Sequence, residues 1–200
     1  MRKISFSLLT LITAYLLFWP VAIDPINWDA PVDKGYTGDF KQNTRLDKID
    51  TIAMEYIHGP EGLALRNGKV YASTREGWIV RHNPKTGEIK KWVHTQGSPL
   101  GLAFDKQGNL LVADAYRGLL EVNSNGDITL LTAQINGHPI GYADDVDIAD
   151  DGKIYFTDAS TKFPASLSQD SYAASLLDIM EHGGHGRLLA YNPQDQSTKV

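Results

Sequence analysis

The chain has no cysteine among its 200 residues. Disulfides and thiolate metal sites are therefore excluded, although the compartment stays open because many exported proteins do without cysteine. It also lacks a Gly-x-Ser-x-Gly elbow, a phosphate-binding glycine loop and a dinucleotide fingerprint, which disfavours a serine-hydrolase mechanism. Positive charge is short: 19 Lys and Arg stand against 24 Asp and Glu, for a net charge of −5. Two of the cations, Arg2 and Lys3, precede an apolar run, so the remainder is more acidic still. With no basic stripe, no nucleic acid partner is expected. What is present, 42% hydrophobic and 22% charged residues, describes a globular chain long enough for one domain with a substantial core.

The one long apolar run is at the N-terminus. Ile4 to Ile23 carries no charge, and Asp24 ends it. About twenty helical residues span about 30 Å, one hydrocarbon core. Trp19 lies near the outer end, where an aromatic belt would form. A cleaved signal peptide and a buried helix are the competing readings. Pro20-Val21-Ala22 is a poor cleavage site, and the run is long for a signal core. The expectation is one uncleaved transmembrane helix within residues 1–23. Its positive flank puts the N-terminus in the cytoplasm and the rest of this single-pass chain on the outer, periplasmic or lumenal side. Residues 24–45, with Pro25, Pro31, Gly35 and Gly38, read as a linker.

Beyond the linker one unit recurs. Gly62-Leu63-Ala64-Leu65 is followed by Asn67-Gly68 and Lys69-Val70-Tyr71, then Gly77-Trp78-Ile79-Val80. Gly101-Leu102-Ala103-Phe104, Gln107-Gly108, Leu110-Leu111 and Gly118-Leu119-Leu120 repeat the order. Asp145-Val146-Asp147-Ile148, Asp151-Gly152, Ile154-Tyr155 and, after an insertion, Gly186-Arg187-Leu188-Leu189 repeat it again. The turn glycines Gly68, Gly108 and Gly152 recur about every forty residues, a period typical of four-stranded propeller blades. The fold class expected is all-β, with about three blades over residues 46–200. Inner strands are expected at Leu63–Leu65, Leu102–Phe104 and Val146–Ile148, and Leu46 to Ile57 is a candidate edge strand. The insertion, Ser160 to Gly186, has apolar residues at Tyr172, Leu176, Ile179 and Met180, as in a short amphipathic helix. It reads as a lid, a pocket wall or a helix packed on the rim.

Comparing the copies separates structural acids from functional ones. Asp114 and Asp158 hold the same place in successive units, with Thr74 in the first. A residue that recurs in each unit suits a backbone turn better than a single site. Glu61, Asp144 and Asp145 do not follow the repeat and stand ahead of inner strands. Hard oxygen ligands converging from different blades suit Ca²⁺ or another divalent cation, and solvated turn carboxylates are the plainer reading. His182-Gly183-Gly184-His185 reads as a flexible loop rather than a zinc pair, because no helix fixes its geometry. His58 and His138 precede inner strands without further support for a role.

Leu111-Val112-Ala113-Asp114-Ala115-Tyr116-Arg117-Gly118-Leu119 resembles a signature of strictosidine synthase-like proteins. Ile154-Tyr155-Phe156-Thr157-Asp158-Ala159-Ser160, Gly186 to Tyr191 and Gly59-Pro60-Glu61 match further segments in order. The resemblance runs from His58 to Val200 and is similar to the membrane-anchored branch typified by adipocyte plasma-membrane-associated protein, within the wider gluconolactonase and paraoxonase-like group. It implies a six-bladed propeller with a divalent cation, commonly Ca²⁺, in its channel. It also implies Glu61 as a ligand, with Asp144 where the family usually has Asn. Further ligands, and the glutamate of true synthases, come from later blades. Three blades cannot close a ring, so the chain is expected to be the N-terminal half of a longer protein. An oligomer is expected only if the half-propeller is genuine.

The function expected is a divalent-cation-dependent hydrolase acting on a small-molecule ester or lactone. Glu61 and Asp144 would hold the metal, and Asp145 would orient a ligand or a water. The alternatives are a non-catalytic membrane-anchored propeller that binds protein partners, and a strictosidine-synthase-type condensing enzyme.

Overall fold

The computed structural model describes residues 2–52 and 57–200. It opens with helix α1 (Arg2–Phe18). Its leucines, such as Leu9, Leu16 and Leu17, are exposed on every side, as expected of a helix with no polar face. The helix stops at Phe18 because Pro20 has no amide proton to donate and keeps Trp19 out of helical geometry. At 1.5 Å per residue its length is about 26 Å. The expected spanning helix through Ile23 is therefore not met, and no described helix is long and apolar enough to cross a membrane. Residues 24–45 contain only one 3-10 turn, Gly38–Phe40, in keeping with a linker. The described part of Leu46 to Ile57 holds no strand, and residues 53–56 of that candidate lie outside the described residues.

The rest is built from three four-stranded antiparallel sheets, each in simple up-and-down order. The first sheet contains β1 (Leu63–Arg66), β2 (Lys69–Ser73), β3 (Trp78–His82) and β4 (Ile89–His94). The second contains β5 (Pro99–Phe104), β6 (Leu110–Asp114), β7 (Gly118–Val122) and β8 (Ile128–Thr132). A small hairpin follows, β9 (Gln134–Ile135) with β10 (His138–Pro139), turning at Asn136-Gly137 with positive φ at both residues. The third sheet contains β11 (Ala143–Ile148), β12 (Ile154–Asp158), β13 (Arg187–Asn192) and β14 (Ser197–Lys199). Between β12 and β13 the insertion forms α2 (Ala165–Ser168) and α3 (Ser171–Glu181).

The sheets pack face to face through two cores. Leu110, Val112, Leu120 and Val122 meet Ala64, Tyr71 and Ile79 of the first sheet. Leu111, Ala113 and Leu119 meet Val146, Ile154, Phe156 and Leu189 of the third. Alternate residues of β6 thus serve opposite cores, and every one of its residues is buried. A strand covered on both faces has no polar alternation to show, which is why Leu110-Leu111-Val112-Ala113 reads as a continuous apolar run.

Two expectations change at the ends of the strands. β5 and β11 begin three residues earlier than the apolar pattern suggests, and each carries a bulge, between Pro99 and Leu102 and between Ala143 and Val146. The third sheet is also complete, because β14 pairs with β13.

Candidate functional site

The bulge in β11 is made of Asp144 and Asp145, so these acids sit inside the inner strand rather than in the loop ahead of it. An extra residue in one strand bends it and re-aims the side chains beside it. The inner strands press together there. A Cβ on Gly101 of β5 would lie 2.6 Å from Cα of Asp145 and 2.8 Å from the Asp144 carbonyl oxygen. A Cβ on Gly62 would collide with the Leu100 carbonyl in the same way. Only hydrogen fits at these two positions, and this close approach draws the start of all three inner strands together. Glu61, the residue before Gly62, is carried with them toward Asp144 and Asp145.

The electrostatics record that convergence. Burial holds the Glu61 carboxyl above the usual carboxylate range, and the charges of Asp144 and Asp145 push it further. Asp144, half-buried, is raised by burial and then by Asp145. Asp145 is more exposed and partly committed to the bulge. Its amide donates to Thr157 Oγ1 at 2.9 Å, and its Oδ1 accepts from the Val146 amide at 2.9 Å. The three acids expected to act together are thus brought into mutual range. Among the described residues, however, no group of three or more His, Cys, Asp or Glu is disposed to hold a metal unaided.

Sequence reasoning missed the neighbours of these acids. Tyr142, two residues before Asp144, is buried, and its hydroxyl donates to the Ser171 carbonyl at 2.9 Å. Burial, then the Asp144 carboxylate, pushes its phenol up to about 12. Its ring packs in a third cluster with Leu100, Ala115, Ala165 and Ala174, against which Tyr116 and Ala159 lie. The insertion is therefore attached to the strand that carries the acids, through Ser171 at the start of α3 and through Ala165 and Ala174. The available signal was the placement of Tyr142 two residues before the candidate ligand Asp144.

Asp114 and Asp158 fill the structural role that their repetition implies. Oδ1 of Asp114 accepts amides from Ser98, Tyr116 and Arg117 at 2.9, 3.0 and 3.1 Å. Asp158 accepts the Tyr142 amide at 3.1 Å and Arg187 Nη2 at 2.8 Å, with burial raising its carboxyl against that partner. Thr74 accepts the Trp78 amide in the first sheet at 3.2 Å.

The insertion is tied down at its far end as well. α3 begins at Asp170, whose side chain accepts the Tyr172 and Ala173 amides as an N-cap. Glu181 ends it, almost fully buried, with Lys162 Nζ donating to both carboxylate oxygens at 2.6 Å. That partner holds Glu181 below the usual range. His185 lies 3.3 Å from Glu181 and 3.1 Å from Asp178, while the His182 ring stacks on Trp28 with centroids 5.2 Å apart. The expected flexible histidine loop is thus anchored, and each ring has its own contacts. His58 bonds Glu76 at 2.8 Å on the surface, and His138 is exposed in β10.

A strictosidine synthase-like N-terminal family model matches residues 38–82, and a strictosidine synthase model matches residues 144–200. The strictosidine synthase-like 6 protein of Arabidopsis thaliana is 36% identical over 162 residues, which cover 78% of this chain and 42% of that protein. The adipocyte plasma membrane-associated protein of Danio rerio is 31% identical over 217 residues, covering 100% of this chain and 50% of that protein. Among solved structures, a gluconolactonase of Xanthomonas campestris aligns with a TM-score of 0.58 at 19% identity, over 72% of this chain and 47% of that chain. At that identity the likeness is one of fold, and the fold is propeller-like. The chain spans about half the length of the curated relatives it matches.

Proposed function

The chain belongs to the strictosidine synthase-like family, and from that premise we propose that its three sheets are half of a six-bladed propeller whose mouth performs divalent-cation-dependent hydrolysis of lactones or aryl esters. The observation that carries this reading is the meeting of Glu61 with Asp144 and Asp145 from two different sheets. Carboxyls raised by burial and by one another are in an environment that disfavours their charged forms, and a hard cation relieves both causes at once. The donor set therefore fits Ca²⁺ or a similar ion, as part of a coordination sphere that backbone carbonyls, water and further side chains complete.

When bound, such a cation supplies Lewis-acid polarisation of a carbonyl oxygen. Glu61, just ahead of β1, and Asp144, in the β11 bulge, would hold it. Asp145, with one oxygen engaged by the Val146 amide, orients a ligand or a water with the other. Tyr142, kept protonated by burial and by Asp144, remains a hydrogen-bond donor across the neutral pH range and ties the insertion to the strand that carries the acids. The apolar α1 and the residues after it attach the chain to a membrane. The relative from Danio rerio, by its name a plasma membrane-associated protein, supports that attachment.

The test is turnover across a panel of lactones and aryl esters by a closed-ring protein containing this chain, with and without chelator. Glu61→Gln and Asp144→Ala should each abolish the cation-dependent rate. Unchanged turnover in both variants overturns the assignment. Cation binding without any turnover leaves a binding propeller in place of the hydrolase.

A further inference from the structure

The insertion helix is reversed relative to a helix of a water-soluble domain. Its outward residues Tyr172, Leu176, Ile179 and Met180 are 63%, 40%, 61% and 59% exposed. They fall at i, i+4, i+7 and i+8, a single face of the helix. No charge interrupts that face. The helix's acids point the other way, Glu181 to Lys162 and Asp178 to Ser160 Oγ and His185. Leu167 of α2 adds an apolar side chain that is 84% exposed. A soluble helix places its apolar stripe on the core and its charges in water. Here only Ala174 and part of Leu177 turn inward with the acids, and the larger apolar side chains form a second stripe directed at something outside the described residues.

The same helix is fastened to the start of the linker, just after the N-terminal apolar run. The Asp24 amide donates to Glu181 Oε2 at 2.8 Å, and the Ile26 amide to the Glu181 carbonyl at 2.8 Å. Trp28 stacks on His182 just beyond. Only five residues separate Phe18, the end of α1, from Asp24. Fully extended they reach about 20 Å, and their own Val21, like Ile26 and Trp28 after them, is exposed and apolar. A membrane that receives α1 thus lies within one short tether of the reversed face.

We propose that the outward face of α3, together with Leu167, is a membrane-docking surface whose partner is the lipid bilayer. The inference rests on the reading that α1 attaches the chain to a membrane. An interfacial helix buries its apolar face about 5–10 Å into the headgroup boundary, and the four residues of this face form such a stripe. Because the first turn of α3 is bonded to Tyr142 beside the acids, docking would hold the mouth at the lipid surface.

The absence of cysteine makes the test clean. The full chain would be prepared as Leu9→Cys, Ile179→Cys and Asn125→Cys, each carrying an environment-sensitive fluorophore. Asn125 lies in the β7–β8 turn, at the opposite end of the second sheet from the mouth. Each would be bound to phosphatidylcholine vesicles with and without nitroxide-labelled lipid. Quenching at positions 9 and 179 to a comparable extent, with none at 125, is the expected result. Quenching at 9 but not at 179 overturns the docking surface and leaves the attachment by α1. Quenching at neither position removes the attachment, and the docking surface with it. Quenching at all three positions means non-specific adsorption and also overturns the proposal.

Discussion

β6 and α3 are both apolar segments of similar importance to the architecture, yet their side chains face opposite environments. In β6 both faces meet protein, Leu110 and Val112 on one sheet and Leu111 and Ala113 on another. In α3 the charged residues and Ala174 meet protein, while Tyr172, Leu176, Ile179 and Met180 meet the outside. The difference teaches that apolar patterning reports a demand for burial without saying who meets it. For the repeats the demand is met within the chain, sheet against sheet. For the insertion it is directed outward, past the chain's own surface.

The comparison breaks first if β6 is not the hinge of both cores. Leu111 is 1% exposed, in the core shared with the third sheet. Leu111→Ala should cost about 2–5 kcal/mol, the loss of buried methyl groups plus the cavity they leave. Urea unfolding followed by circular dichroism checks it. A loss well below 1 kcal/mol would mean that the second and third sheets do not depend on each other for burial.

How much of this was legible follows from the same contrast. Wherever the chain answers itself, the sequence is enough. Asn67-Gly68 and its counterparts place the hairpins, and the acid repeated at Asp114 and Asp158 is structural because two units use it alike. The starts of β5 and β11 were not legible, because a bulge looks like a loop in one dimension. Asp144-Asp145 suggests solvent, and only the glycine contact at Gly101 reveals the pressure that folds it into the strand. The periodicity of α3 identified its apolar face, but no local signal says which way that face points. The direction is set by Lys162 meeting Glu181 across nineteen positions, and by an amide at Asp24 far back in the chain. Pairings that distant leave no trace in a window of neighbours. The N-terminal run was legible as apolar and misread in length, since one proline ends its helix early.

A smaller effect sharpens the comparison at the mouth, where burial acts on charge. The Glu61 and Asp144 carboxyls are raised by burial and repulsion. For such groups the native state holds its protons more tightly than the unfolded chain does. Their contribution is therefore neutral at acidic pH and becomes destabilising as pH rises from the unfolded carboxylate range through the raised native values. Thermal unfolding should show wild type losing stability relative to Glu61→Gln over that rise. Calcium should restore the loss at neutral pH and have no effect at pH about 4, where the unfolded carboxylates themselves protonate. A calcium shift of equal size at both pH values would detach the ion from these carboxyls.

The smallest expected effect is the most discriminating one. Ile179→Ser removes apolar side-chain atoms from a residue 61% exposed. In aqueous solution that change should leave unfolding free energy within about 0.5 kcal/mol of wild type, as surface substitutions do. The position lies mid-face in a capped helix, so serine's slightly lower helix propensity fits inside that margin. A cost above about 1 kcal/mol in buffer would mean that the outward face of α3 already packs against this chain, and the contrast with β6 would be lost. The same substitution measured with vesicles separates the two environments, because it should then weaken membrane binding while leaving folding alone. A residue that matters to binding and not to folding is one whose burial lies outside the chain, which is the property that sets α3 apart from β6.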